Sequence, residues 1–439
     1  MMKKIFLAFA VAFFAASGAF AQEEETTSRW DIHGELRIYG QWGEHFFYGG
    51  VDNSYPRAYI GFNVNEYVRI QTQFRFGSVF AGSDINWSSF LKEAFISVDV
   101  LGLAGFENVG LVLKAGRLNI SPNNYGVATG LNGVGTYSYA NDNDVNVSPF
   151  NIDLTFSVKP VPLYLRWASD LDMHARNYNP MGSDKSEVNG WTGFAEVGLD
   201  HYNIMNTVDL SLNGFGTYTM VGVNNSTIDD TDPDNWDVTT DEANRWFSGD
   251  SYNMVVGGSL GVGILGLPVD LTIGGSAEYY NVSRVLAGTT TVTPAFEWLI
   301  TENTGLIWSA GVSLGLPDWF TLAVNYTMAD DGAIDARETL GLDVKPNSII
   351  GFDFAFTHLS FMTPYVNLAF GTDSKYDFFN TNTDMDNFGW ELGIAFPIEM
   401  PVGSLELITG WQRGYNSNNA WGGGAYGLGS YFLTLKAYI

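Results

Sequence analysis

Val68–Ser78 reads VRIQTQFRFGS. Val68, Ile70, Thr72, Phe74 and Phe76 fall on one parity, and Arg69, Gln71, Gln73, Arg75 and Gly77 fall on the other. Side chains of a strand alternate between faces, so this stretch predicts one apolar face and one strongly polar face. Segment after segment repeats the design. An apolar face turned to lipid and a polar face turned to a water-filled interior would explain the repetition, and the predicted fold is an all-β transmembrane barrel.

Working outward from that stretch, Trp30–Trp42 carries Ile32, Leu36 and Ile38 on the parity of its two terminal tryptophans, which suit the two membrane interfaces. Pro56–Asn65 follows, and a tight Glu66-Tyr67 turn joins it to Val68. Similar alternation recurs to the last residues, where Tyr431, Leu433, Leu435, Ala437 and Ile439 share a face. The pattern predicts about 18 antiparallel up-and-down strands, with 16 as the neighbouring even count. Connections alternate between short, often proline-bearing turns (Lys159-Pro160, Pro317-Asp318, Pro397–Pro401) and long polar loops. Short turns belong to the periplasm and long loops to the outside, so both termini are expected in the periplasm.

Met1–Ala21 has the three parts of an export signal: Lys3 and Lys4, the apolar run Ile5–Ala16, and Ala19-Phe20-Ala21 at the cleavage site. The expected division is a signal peptide over 1–21, a short periplasmic tail over 22–29 and a barrel over 30–439. So short a tail leaves no N-terminal plug. With no Cys, disulfides, thiol catalysis and Cys–zinc sites are excluded. The formal charge of −27 argues against nucleic acid as a partner, since phosphates demand Lys and Arg. The expected surroundings are outer-membrane lipids, reached through the barrel-assembly machinery.

Inward parity on the first seven strands gives Arg37, Arg57, Arg69, Arg75, Lys114 and Arg166. On later strands it gives Asp270, Glu278, Asp353, Glu391 and Glu406, with Lys436 opposing them. These are the expected pore-lining charges, a relatively basic wall facing an acidic one, and such an arrangement orients dipolar solutes. Inward aromatics Tyr39, Tyr59, Phe95, Tyr164 and Phe194 could form a track for a sugar or carboxylate.

Several motifs carry little. Gly257–Gly261 and Gly311–Gly315 fit GxSxG but lie within alternating strands, so Ser259 and Ser313 are expected as small lumen-facing residues. Five scattered histidines lack metal-ligand spacing, and no enzyme activity is expected. Asp230, Asp232, Asp234, Asp237 and Asp241 have spacing close to a calcium loop, although Asn235 stands where the turn glycine belongs. Calcium there is the alternative to a solvated acidic loop, and otherwise no cofactor is expected.

Leu113-Lys114-Ala115-Gly116-Arg117 ends the fifth strand and precedes a long connection, Leu118–Pro149. Here the chain resembles the general porins of bacterial outer membranes. In them a similar Gly-Arg strand end precedes a loop that folds into the barrel and constricts it. The resemblance implies passive diffusion of small hydrophilic solutes through a homotrimer. It makes 119–149 the expected constriction loop, with Gly126, Gly130 and Gly133 permitting tight backbone turns and Asp142 and Asp144 facing the basic wall. The family's Pro-Glu-Phe-Gly loop motif is missing, and the chain ends on Ile439 where the family ends on Phe. A substrate-selective channel and a structural or adhesive surface barrel stand as alternatives.

Overall fold

A computed structural model of the chain describes residues 29–42, 47–51, 57–76, 91–118, 120–129, 151–158, 161–170, 190–221, 246–247, 251–290, 293–340, 347–372, 388–400, 403–413 and 430–438. The strands are β1 (Trp30–Trp42), β2 (Phe47–Val51 and Arg57–Asn65), β3 (Val68–Arg75), β4 (Leu91–Asp99), β5 (Val109–Arg117) and β6 (Asn151–Val158). Next come β7 (Leu163–Asp170), β8 (Gly190–Ile204), β9 (Val208–Val221), β10 (Trp246–Phe247 and Ser251–Ile264), β11 (Asp270–Thr290) and β12 (Thr293–Leu316). The series ends with β13 (Phe320–Ala329), β14 (Ser348–Phe356), β15 (Thr363–Thr372), β16 (Phe388–Glu399), β17 (Ser404–Arg413) and β18 (Ser430–Tyr438).

Each strand pairs antiparallel with the next. β18 returns to β1 with Arg37 opposite Lys436 and Ile38 opposite Leu435. The 18-strand sheet is therefore closed and has no edge left to satisfy. Two strands are each described in two pieces. Both pieces of β2 pair with β1, and both pieces of β10 pair with β11, so each counts once around the barrel.

The expected strands agree with those observed, apart from the extra pieces Phe47–Val51 and Trp246–Phe247 and the length of the β11–β12 hairpin. The register runs on from Tyr279 opposite Leu306 to Thr289 opposite Phe296. Its distal part loses the apolar alternation on which strand recognition depends, whereas its backbone ladder continues.

The two faces are inverted relative to a soluble sheet. Leu165 is 54% exposed and Ile273 50%, on the parity that points out, while Glu196 is 1% exposed on the parity that points in. Burying one such aliphatic side chain is worth about 1.5–3 kcal/mol. A belt of them in water would be untenable, and lipid supplies the missing burial. No helix of the described residues is long and apolar enough to cross a membrane, so crossing is left to the strands.

Short turns gather at one rim. Met205 and Asn206 both take positive φ (53° and 57°) and join β8 to β9, with the Asn203 Oδ1 accepting from Asn206 N at 2.7 Å. Two consecutive left-handed residues match the right-handed twist of the flanking strands. Among the described residues two helices interrupt the all-strand pattern. α1 (Val100–Leu103) sits in the β4–β5 turn, where the Asp99 Oδ1 accepts from Gly102 N at 2.9 Å. α2 (Asp331–Thr339) occupies the β13–β14 connection.

No separate plug domain is present among the described residues. The lumen is nevertheless not filled by water throughout. Ile120, Phe194, Phe215, Tyr280, Ile307 and Ile334 belong to one buried apolar cluster inside the barrel. The expectation is a water-filled interior narrowed by an inward loop, and this cluster shows that part of the interior is packed with apolar side chains. Its cause is that two connections turn inward and need apolar surface to pack against.

Candidate functional site: the lumen and its inward connections

The site starts at the end of β5. Gly116 has φ +135°, and a Cβ placed there would meet the Ala94 carbonyl oxygen of β4, so only glycine permits this close approach. The chain then leaves the sheet and crosses the inner wall in order. The Leu118 carbonyl accepts from Asn151 Nδ2 of β6 at 3.1 Å, and the Ser121 carbonyl from the Arg166 guanidinium of β7 at 2.9 Å. Asn123 N donates to Glu196 Oε1 of β8 at 2.9 Å, and its carbonyl accepts from Asn213 Nδ2 of β9 at 2.7 Å. Tyr125 N donates to Ser259 Oγ of β10 at 2.8 Å, and the Val127 carbonyl accepts from Asn325 Nδ2 of β13 at 2.5 Å.

A backbone taken out of water must find partners, and here six inward side chains on six strands supply them. The wall between β10 and β13 is smooth for the same reason. A Cβ on Gly261 would lie 2.7 Å from the Tyr125 carbonyl oxygen, one on Gly274 2.9 Å from it, and one on Gly311 2.9 Å from Val127 Cβ. The two GxSxG stretches are thus part of the seat for this connection. Ser259 is the lumen-facing residue expected from parity, and it carries a hydrogen bond as well. Inward glycines within a strand mark where another backbone approaches, and that signal was present in the sequence.

Glu196 anchors the crossing. Its Oε1 also accepts from Tyr164 Oη at 3.0 Å and Asn213 Nδ2 at 2.7 Å. Arg166 lies 3.8 Å from its other oxygen and binds Asp153 through Nη2 at 2.8 Å. Parity identified Arg166 as inward but could not show that its charge is spent on Asp153 and on the loop.

α2 is the second inward element. Asp330 Oδ1 accepts from Ala333 N at 2.8 Å as the helix cap, while its Oδ2 accepts from Leu306 N of β12 at 2.9 Å. Gly305 and Gly332 allow the close seating, since a Cβ on either would overlap backbone of the other element. Arg337 is fully buried and donates to Tyr280 Oη at 2.9 Å, and Tyr280 donates to Glu278 Oε2 at 2.8 Å. Glu278 therefore lies beneath packed protein, an outcome parity alone does not reveal.

The remaining predicted charges stand on the inner face as follows. Glu35 is opposite Arg57, and Arg57 is opposite Arg75, so these side chains form one row across β1, β2 and β3. Arg37 donates to Glu35 at 2.7 Å, Arg69 pairs with Asp31 at 2.6 Å, and Lys436 pairs with Glu406 at 3.0 Å. Glu391 accepts from Tyr365 Oη at 2.5 Å. Asp353 lies opposite Asn367, and Asp270 lies opposite Gly315 near the short-turn rim. Arg37, Arg69, Arg166 and Lys436 are thus each tied locally to a carboxylate of the same wall. Lys114 differs: its ammonium lies 5.9 Å from the Phe95 ring centroid.

No family model and no curated protein sequence matches the chain. Solved structures do. OccK11 of Pseudomonas aeruginosa is 8% identical with a TM-score of 0.45, covering 94% of this chain and 95% of that one. The anion-selective porin of Comamonas acidovorans is 9% identical with a TM-score of 0.42, covering 93% and 98%. Wzi of Escherichia coli, described as a carbohydrate-binding β-barrel involved in capsule assembly, is 12% identical with a TM-score of 0.46, covering 94% and 84%. The resemblance to bacterial outer-membrane porins is one of architecture, and at such scores no function is carried over from it.

Gly126 lies on the crossing connection, with its N donating to Asn124 Oδ1 at 2.9 Å. Gly130, Gly133, Asp142 and Asp144 fall outside the described residues, as do Asp230, Asp232, Asp234, Asp237 and Asp241. Among the described residues no group of His, Asp or Glu could hold a metal ion. The inward aromatics are dispersed: Tyr59 accepts from Gln73 at 3.0 Å, whereas Phe194 is buried under the Arg166 guanidinium.

Proposed function

We propose that this chain is an outer-membrane porin that lets small hydrophilic solutes pass down a gradient through a lumen narrowed by residues 118–129. The observation that supports it best is the ordered series of hydrogen bonds from this connection to inward side chains of β6 through β13. A barrel whose loops served only as a surface for partners has no use for a backbone laid along the inner wall of its bore. The open path then runs between the connection and the charged inner faces of β14–β18 and β1–β4. Both described ends of the chain share the short-turn rim, which favours a periplasmic location for them. The homotrimer implied by the resemblance belongs to the same reading, and chemical cross-linking in membranes tests it.

A second reading, a substrate-selective channel, is favoured by the apolar cluster and α2, which fill part of the lumen. Liposome swelling separates the two. A porin admits neutral sugars with rates that fall smoothly with size, whereas a selective channel admits one class and excludes others of equal size. Liposomes that stay impermeable to every solute would overturn both.

A further inference from the structure

The inner wall of β1–β3, close to the Glu66-Tyr67 turn, carries a patch whose charge is balanced. Arg69 of β3 reaches across Gly61 of β2, where a Cβ would come within 2.6 Å of Nη2, and donates to Asp31 Oδ2 at 2.6 Å. The other oxygen of Asp31 lies 3.4 Å from His33 Nδ1. His33 in turn stacks on Tyr59 of β2, with ring centroids 4.5 Å apart and planes at 15°. Gln73 of β3 is buried and holds the lower ring by donating to Tyr59 Oη at 3.0 Å. These side chains form one continuous surface in which every link is a direct contact.

The surface is open. The His33 side chain is 53% exposed although one of its faces lies against Tyr59, so its other face is bare. The Arg69 side chain is 38% exposed, and among the described residues only its Nη2 is engaged, which leaves the N–H groups of Nη1 to a solute. Gln71, next on the inward parity of β3, is half-buried, and its amide makes no hydrogen bond among the described residues. With Nδ1 donating to Asp31, His33 Nε2 is an acceptor. A bare ring face thus lies beside a carboxylate, a guanidinium and an amide that all have hydrogen-bonding capacity left.

We propose that this platform holds a neutral pyranose, with one face of the sugar ring on His33 and neighbouring hydroxyls at Asp31, Arg69 Nη1 and the Gln71 amide. The C–H groups on a pyranose face are slightly positive and suit the negative face of an aromatic ring. Carboxylate, guanidinium and amide are planar groups with paired acceptor or donor atoms, which match hydroxyls on adjacent ring carbons. The Asp31–Arg69 pair cancels its own charge, so a solute of either sign gains little there, whereas a polyol exchanges its water for equivalent hydrogen bonds. The proposal rests on the substrate-selective reading of the lumen and names the substrate class.

The test is saturation-transfer NMR on the full, detergent-folded barrel, with methyl β-D-glucopyranoside, D-sorbitol and methyl β-D-glucuronide as probes. Sorbitol keeps the hydroxyls without the ring, and the glucuronide adds a carboxylate. The glucoside should bind about tenfold more tightly than sorbitol, the scale of one aromatic contact, and the glucuronide should gain nothing over it. His33→Leu should remove the preference for the ring, and His33→Tyr should keep it. Asp31→Asn leaves Arg69 without its counter-charge and should turn the preference towards the glucuronide. Where His33→Leu fails to fold, Tyr59→Leu takes its place. The proposal is overturned by equal or no binding of glucoside and sorbitol, or by a preference for the glucuronide in the unchanged protein. A ring preference that survives His33→Leu, or no shift in Asp31→Asn, overturns it equally. Channel activity is scored separately. A conducting barrel without the preference refutes the platform and leaves the porin standing, and a silent barrel with the preference does the reverse.

Discussion

Glu196 collects three hydrogen bonds on one oxygen in the interior of a barrel whose outer face is apolar. Further along the crossing the wall of β10–β12 presents glycines, and these decide where the connection lies. Gly261 is the sharpest test, because a side chain there meets the Tyr125 carbonyl and not a flexible side-chain end. Gly261→Val should dislodge residues 123–127 and raise single-channel conductance while the barrel itself still assembles. Glu196→Ala should act in the same direction by stranding three donors, each at a cost of about 1–3 kcal/mol, whereas Glu196→Gln keeps an acceptor oxygen and falls between. Faster cleavage within 118–129 by protease added from the loop side would register the loosening. A different property belongs to the row of Arg57 and Arg75 with nearby Arg37. Replacing all three with Glu should shift the reversal potential in a salt gradient towards cation selectivity, and an assembled triple variant with unchanged selectivity would remove them from the permeation path.

At the scale of elements, the strands were legible because lipid on one side and a polar interior on the other force a strict period of two. Val68–Arg75 is the case in point, with Ile70 half exposed on one face and Gln73 buried on the other. The distal β11–β12 hairpin was not legible, since no such constraint holds past the apolar belt. The inward course of 118–129 was legible in part. Its Gly-Arg start and the inward glycines of β10, β11 and β12 were visible, but which strands face one another across a lumen depends on closure and shear. α2 was missed because nine polar-to-mixed residues in a long connection carry little periodic signal. Arg337 holds it, and truncating one member of a buried charged network costs about 3–5 kcal/mol. Arg337→Ala should therefore speed amide hydrogen exchange across 331–339 while leaving the strands protected. Unchanged exchange in the helix would mean that the contact with Tyr280 and Glu278 is incidental.

For the whole molecule, closure through β1 and β18 leaves no sheet edge, so the folded barrel should resist SDS until heated and migrate differently before and after boiling. The outward belt has its own test. Ile273→Arg places a charge on the lipid face at a cost of about 2–4 kcal/mol if it lies near the bilayer midplane, and assembly should fall. Ser276→Arg on the inward parity should spare the lipid face and act on conduction. The most direct measurement is single-channel conductance in planar bilayers of the full protein beside a variant lacking residues 124–129. Discrete steps in the full protein and larger steps in the variant are the predicted result. A silent protein, or steps of identical size in both, would contradict a conducting lumen narrowed by its own inward connection.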